Sequence, residues 1–373
     1  MILLVYDWDF TPVGMIEEYE TCSWIRRFRS RAECTLSVPY SPEALEVLQV
    51  EHWLIQDSGN EAMVITTVTL SKDQTGADTI SITAYGLFQL LNRRVCDKEY
   101  ENTEMTPQEI IYTLFESNIT KPKSQTRILP NVRLNKREKY EDLESSEFSL
   151  AIYQRLGDVI EEQLTSSSLG YVVTTDIPGR THTFDFQKPA EHTAGSESPV
   201  IFSVAYGTLG EQSFVHSHEQ YANMAYIMSG DSDEDGSILE TIGDTLAGYG
   251  RFEIGVDASD IQSSNSDEDE SLTPAQVRQR MRKRGEDELK NSYPEENTFT
   301  GAIIETDSLV YKRDWDLGDR VTCMYSRWGI TADLTITEIQ EEYSKQGRRI
   351  TVTFGEGTPD FRKTMCALVR RTK

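Results

Sequence analysis

The sequence predicts a mainly β chain interrupted by a smaller α/β insertion, on three observations. Apolar and polar residues alternate in segments of residues 1–98, the period lengthens to about 3.6 from residue 99 to about 190, and alternation returns between Thr298 and Phe354. Alternation puts every second side chain on one face of a strand, whereas apolar residues three and four apart line one side of a helix.

In the first region, Thr35–Val38 alternates, Ala62–Leu70 is rich in β-branched residues and Thr79–Tyr85 alternates strictly. Asp73-Gln74-Thr75-Gly76 supplies a turn between the last two, and Pro39 and Pro42 are placed in a loop. Thr106-Pro107 followed by Glu109 then starts a helix whose apolar stripe is Ile110, Ile111, Leu114 and Phe115. A longer helix is predicted from about Ser149 to Ser168, carrying Leu150, Tyr153, Leu156, Ile160 and Leu164, with Gly170 ending it in the left-handed conformation. Tyr171–Thr175 and Thr181–Phe186 flank Ile177-Pro178-Gly179-Arg180 as a hairpin. Strands resume at Pro199–Ala205 and Tyr226–Met228, and Thr273-Pro274 opens a helix to about Lys290. The remaining strands are Thr298–Ile304, Arg320–Tyr325, Leu334–Ile339 and Ile350–Phe354.

Two hairpins in this reading echo each other. Val64–Leu70, a turn at Gly76 and Ile80–Gly86 correspond to Leu334–Ile339, a turn at Gly347 and Ile350–Gly355. Each second strand alternates and stops at an aromatic-Gly pair. The echo reads as an internal duplication or as the residue choice that any exposed hairpin favours.

Composition removes several function classes. The chain has 37 Lys and Arg against 62 Asp and Glu, a formal charge of −25, and such a surface repels phosphate backbones. The five cysteines, Cys22, Cys34, Cys96, Cys323 and Cys366, have no C-x-x-C spacing and read as reduced thiols. The apolar run Met1–Val5 is too short for a signal peptide, and no stretch approaches a membrane span. Residues 257–271 hold six acids and no bases, the composition of a linker or mobile loop.

Chemistry-bearing motifs are few. Asp231-Ser232-Asp233-Glu234-Asp235-Gly236 matches the first half of a calcium-binding EF-hand loop, but the twelfth position is Ile242 instead of Glu, so it reads as a solvated hairpin loop with at most weak cation binding. His216 and His218 share one strand face at a spacing metal sites use, yet sequence identifies no third ligand and they read as surface histidines. Arg278, Arg280, Arg282, Lys283 and Arg284 crowd one helix that runs into Glu286-Asp287-Glu288, and pairing with acidic neighbours explains them better than nucleic-acid binding. H-E-x-x-H, G-x-S-x-G and P-loop patterns are all missing. No catalytic residue, metal site or cofactor is therefore assigned.

Taken in order, several segments resemble the tail-associated or baseplate hub proteins of siphophage tail tips. These are Leu3-Leu4-Val5-Tyr6-Asp7, then Trp24-x-Arg26-Arg27-Phe28 with Glu33-x-x-Leu36, and Tyr85-Gly86-Leu87-x-x-Leu90-Leu91-x-Arg93-Arg94-Val95. Pro199–Ser203, Asn223-x-x-Tyr226, Trp315-x-Leu317-Gly318-Asp319-x-Val321, Ile336–Ile339 and Phe354-Gly355-Glu356 follow. Two departures are Ala32, where the family often has Gly, and an end at Lys373, where many relatives continue into a cell-wall hydrolase or fibre; the resemblance then implies the hub without the attached enzyme.

The resemblance, which extends to the central hub of contractile-tail baseplates, implies two similar β-barrel domains per chain and a trimeric ring. The corresponding boundaries are 1–98 for the first barrel, 99–195 for the inserted α/β domain and 196–256 for strands returning to the barrel or connecting it. An acidic linker or loop at 257–272, a helix plus second barrel at 273–360 and a C-terminal tail at 361–373 complete the division. The implied partners are two further copies of the chain, the distal tail ring and other tail-tip or receptor-binding proteins, with phage DNA passing without sequence-specific binding. The implied location is the virion's tail tip, after assembly in the host cytoplasm. Trp24, Arg26, Arg27 and Arg94 are assigned to the first barrel and its contacts, Gly86 and Gly355 to the tight ends of hairpins, and Trp315, Gly318 and Asp319 to the turn before the last barrel. The alternatives are a tail-associated hydrolase or endopeptidase, which no motif supports, and a receptor- or glycan-binding tip protein, supported only by exposed aromatics among 17 Tyr and 5 Trp.

Overall fold

A computed structural model describes residues 1–72, 76–233, 236–243, 245–259, 261, 273–306, 309–327 and 329–355. The predicted turn residues Asp73–Thr75, part of the acidic loop at 234–235, most of the stretch 257–272, Glu356, Cys366 and the tail 361–373 lie outside the described residues. The chain divides into two compact units, one made of Met1–Ser213 together with the chain from Phe299 onward, the other of Phe214–Thr298.

The first unit begins with strands β1 (Leu3–Tyr6), β2 (Pro12–Ile16), β3 (Thr21–Arg27) and β4 (Glu33–Pro39), helix α1 (Pro42–Val47), and strands β5 (Trp53–Gln56), β6 (Ala62–Lys72) and β7 (Asp78–Gly86). Period-two burial explains them: Cys22, Trp24 and Arg26 of β3 point inward, as do Ile80, Ile82 and Ala84 of β7. The expected loop around Pro39 and Pro42 is instead a strand end and a helix start. Ser41 accepts a hydrogen bond from Ala44 N, and Pro42 sits in the first turn, where its missing N–H costs nothing.

The insertion contributes β8 (Tyr100–Met105), α2 (Pro107–Phe115), β9 (Val132–Asn135), β10 (Ser146–Leu150), α3 (Leu156–Ser167), β11 (Gly170–Asp176) and β12 (Thr181–Gln187). Thr106 and Glu109 cap α2 reciprocally, as their spacing predicts. The predicted helix from Ser149 is corrected: Leu150 belongs to β10, Tyr153 has φ +68°, and the helix begins only at Leu156. Its left-handed end is Ser168 (φ +58°), because Gly170 opens β11, packed so closely on Phe28 that a Cβ would collide with the ring. Phe115, Leu156, Ile160, Leu164, Phe184 and Phe186 share one core with Trp53, Val64, Leu87 and Leu91 from beneath the first strands.

The chain continues through β13 (Ala190–His192), β14 (Ile201–Ser203) and β15 (Leu209–Ser217). In the second unit, β16 (Met224–Asp233), β17 (Gly236–Ile242) and β18 (Glu253–Ala258) form a sheet ordered β17-β16-β18, with α4 (Pro274–Asn291) packed against it. Gly285 lets α4 approach Ile227 and Ile242 where a Cβ would clash. The basic helix pairs with acid as expected: Arg278 Nη1 and Arg282 Nε each lie 2.7 Å from a carboxylate oxygen of Glu240, which is only 6% exposed. Burial opposes charging Glu240, and these two guanidiniums hold its carboxyl below the usual range.

Strands β19 (Glu296–Ile303), β20 (Asp319–Tyr325), β21 (Ile330–Ser344) and β22 (Gly347–Gly355) complete the fold. Fourteen strands join in one sheet, ordered β15-β19-β22-β21-β3-β4-β7-β6-β5-β1-β2, with β20 on β21 and β13 and β14 on β20. The expectation of closed barrels is corrected here. Among the described residues the path has two ends, β15 and β2, that do not pair with each other, and the first and last regions are fused through β21 and β3. The path contains two four-strand runs, β15-β19-β22-β21 and β3-β4-β7-β6, in which the two echoing hairpins occupy corresponding places.

Candidate functional site

The site that distinguishes this sheet is the junction between its two runs. β21 pairs antiparallel with β3 from Glu338↔Arg27 to Ser344↔Thr21, placing Glu341 opposite Trp24. Trp24 is buried among Leu36, Leu54 and Ile82 and supplies an apolar part of the junction's inward face.

Two further inward side chains, Arg26 and Glu341, are charged. Arg26, 4% exposed, donates through Nε to Glu61 Oε2 (2.9 Å) and through Nη1 to the Tyr311 hydroxyl (2.8 Å), and it pairs further with the second oxygen of Glu61 and with Asp316. Burial works against the guanidinium, but Glu61, Tyr311 and Asp316 outweigh it and hold the group firmly charged. Next to it Glu341, 1% exposed, accepts from the hydroxyls of Tyr343 (2.6 Å) and Tyr311 (3.4 Å) and pairs with Arg348 Nη2 at 3.0 Å. Burial pushes both phenols up. At the strand end, Arg27 Nε meets Glu338 at 2.6 Å and its Nη1 donates to the Arg31 carbonyl. Two charge networks thus bolt β3 to β21 and to the turn before β20.

The structure brings some of the sequence-assigned residues to this junction. Trp24, Arg26 and Arg27 lie on β3 itself. Trp315 is buried against Tyr311 and Phe202, with ring centroids 4.8 and 5.2 Å away. Gly318 takes φ +89° with a Cβ position filled by the Phe28 ring, so no other residue fits without displacement. Asp319 Oδ2 accepts from Asp316 N at 2.7 Å and fixes the turn; burial raises its carboxyl.

Three others lie elsewhere. Gly86 ends β7 against Ala32, whose Cβ would stand 2.9 Å from a Cβ at this position. Gly355 ends β22 opposite Thr335, and the left-handed turn residues are Gly76 (φ +89°) and Gly347 (φ +113°). Arg94 donates to the carbonyls of Arg127 and Arg93 and helps line a cavity of about 370 Å³ with Arg93, Arg127 and Arg155. Sequence reasoning missed Glu61, Tyr311 and Glu341. The available signal was Glu341 itself, an acid at the inward-facing parity of Ile339 and Tyr343.

Residues 2–356 match the family described as Siphovirus ReqiPepy6 Gp37-like protein. No curated protein matches the sequence. The fold is shared with the tail protein from Neisseria meningitidis MC58 (TM-score 0.58, 12% identity, covering 95% of this chain and 96% of that one). It is shared also with the 43 kDa tail protein of prophage MuSo2 from Shewanella oneidensis (0.57, 12%, 95% and 98%) and with prophage tail protein gp18 from Listeria monocytogenes EGD-e (0.52, 15%, 99% and 99%).

Proposed function

Because the chain belongs to the Siphovirus ReqiPepy6 Gp37-like family and has the fold of phage tail proteins, we propose that it is the structural hub of a tail tip, a trimeric ring joining the distal tail ring to the tip around the DNA channel. The observation that carries this reading is an unfilled copy of the β21–β3 junction. In β21, residues 330–335 pair with β20 and residues 338–344 pair with β3 along the same side. In β6, Ala62–Val64 pair with β5 in the same way, but the edge beyond the bulge pairs with no described strand. At the other end of the path, β15 pairs with β19 and with no other described strand.

Repeating the internal junction once more places β15 of one chain on β6 of the next. Such a head-to-tail contact closes into a ring when the rotation allows, and three chains then present six runs. The regions 1–98 and 273–360 become the two ring-forming units of each chain. Exposed Leu70 on β6 and Val215 on β15 are apolar residues that this contact covers. The formal charge of −25 per chain keeps a DNA channel from binding its cargo. The role is mechanical, and the partners are neighbouring tail components.

Consecutive strand residues direct their N–H groups to opposite edges, so Val68→Pro and Thr69→Pro separate the two edges of β6. One substitution removes a bond to β7 and destabilises the chain; the other leaves the fold and prevents ring assembly, read by native mass over a concentration series. Rings that form equally well with either proline would refute the proposed contact.

A further inference from the structure

The second unit contains a three-ligand constellation that the hub reading does not use. His216 and His218 project from β15 and its end, and Glu295 stands immediately before β19. The Nε2 of His218 lies 2.8 Å and that of His216 3.6 Å from the same carboxylate oxygen, Glu295 Oε1. All three ligand atoms fall within 4.8 Å of one another, and among the described residues this is the one group of three His, Cys, Asp or Glu side chains so arranged.

These spacings suit a tetrahedral ion. Zinc bonds of about 2.0–2.2 Å to imidazole nitrogen and carboxylate oxygen put neighbouring ligand atoms about 3.4 Å apart, and the two measured edges lie on either side of that value. The rings are also held in place. His218 stacks on Tyr221 with centroids 4.5 Å apart and meets Phe252 edge-on at 5.6 Å, while the two imidazoles lie 5.2 Å apart. A ligand whose orientation is set by packing loses little freedom on binding. Two imidazoles and one carboxylate favour a first-row transition ion over calcium or magnesium, which require more oxygen ligands.

The geometry points to a divalent transition-metal site, with zinc as the natural occupant, made of His216, His218 and Glu295 and leaving one coordination position to water. Its place in the chain gives it a task. The ligands come from the two ends of the segment Phe214–Thr298, so an ion clips those ends together and stabilises the second unit by binding only its folded form. No catalytic step is implied.

The test is a zinc titration of the chelator-treated full chain by calorimetry. One ion per chain is expected at micromolar affinity, weakened about tenfold or more in His216→Gln and in Glu295→Gln, with calcium giving no comparable heat. Both substitutions change exposed side chains, and circular dichroism checks the fold. Cobalt added to the wild-type chain gives an independent reading, since visible absorption of a four- or five-coordinate ion without a thiolate charge-transfer band supports the site even if a variant misfolds. Zinc heats unchanged in both folded variants, no saturable binding, or a thiolate band would overturn the assignment. None of these outcomes bears on ring assembly, which the β6 prolines test separately.

Discussion

The β6–β7 and β21–β22 hairpins repeat a construction down to single hydrogen bonds, yet they end in different surroundings. Each long strand carries a bulge after its inward isoleucine, between Ile65 and Thr67 in one and between Ile336 and Glu338 in the other. In each bulge a threonine hydroxyl donates to a threonine carbonyl across the hairpin, Thr66 to Thr83 at 3.2 Å and Thr337 to Thr353 at 3.3 Å. Beyond the bulge, β21 is covered by β3, whereas the same edge of β6 pairs with no described strand. Local backbone chemistry has therefore kept the two copies alike, and the neighbouring strand is what separates them.

The strongest way to break the comparison is to attack the junction that only one copy has. Arg26→Met keeps the apolar stem but leaves Glu61 and Tyr311 facing a site without their cation. Removing one member of a buried charged pair costs about 3–5 kcal/mol, so the urea midpoint should fall sharply. Asp316 remains partly exposed, which places the loss toward the lower part of that range. A change confined to a few tenths of a kcal/mol would show that β3 and β21 are held by backbone pairing alone.

A further set of buried contacts lies at the insertion. His182 of β12 is buried against Phe10 and Trp53. Its Nδ1 shares a hydrogen bond with Thr175 Oγ1 at 3.0 Å, and its Nε2 is buried without a partner among the described residues. Burial lowers the imidazole from its ordinary 6.5 to about 4. Between those values the unfolded chain binds a proton that the folded chain refuses, so this contribution is complete above pH 6.5 and is lost as pH falls toward 4. His182→Phe should remove that slope, a difference of about 2–3 kcal/mol at pH 4 relative to neutral pH. Denaturation profiles that stay parallel between pH 7 and 4 would mean the imidazole is protonated in place.

The contrast also explains what was legible in the sequence. Both hairpins and both Thr-Pro helix starts were readable because they depend on residues close in sequence or on simple periodicity, and the basic helix's pairing with acid was readable from its charge, although its partner Glu240 lies 38 and 42 residues from Arg278 and Arg282. The helix predicted from Ser149 failed because Leu150 and Tyr153 have helical spacing to Leu156 by coincidence, while β10 is fixed by pairing with β8 some forty residues earlier. Fusion of the two strand regions was hidden for the same reason. It depends on Arg26 meeting Glu61, Tyr311 and Asp316, and no local pattern records contacts nearly 300 positions apart. Glu295 escaped notice as a partner of His218 because 77 residues separate them.

The smallest expected effect is the sharpest test of the duplication. Valine in place of Thr66 or Thr337 preserves shape and β propensity and deletes only the bulge hydroxyl, at a cost of about 1 kcal/mol for a lost hydrogen bond. If the bulges are equivalent devices, Thr66→Val and Thr337→Val should shift the urea midpoint by the same amount. If coverage by β3 matters to the second bulge, Thr337→Val should cost more, since water reaches the open edge of β6 more easily and satisfies the Thr83 carbonyl there. Assembly would then restore the balance: in a ring that covers β6, the Thr66→Val penalty should rise to match that of Thr337→Val, linking a single hydroxyl to the contact proposed between chains.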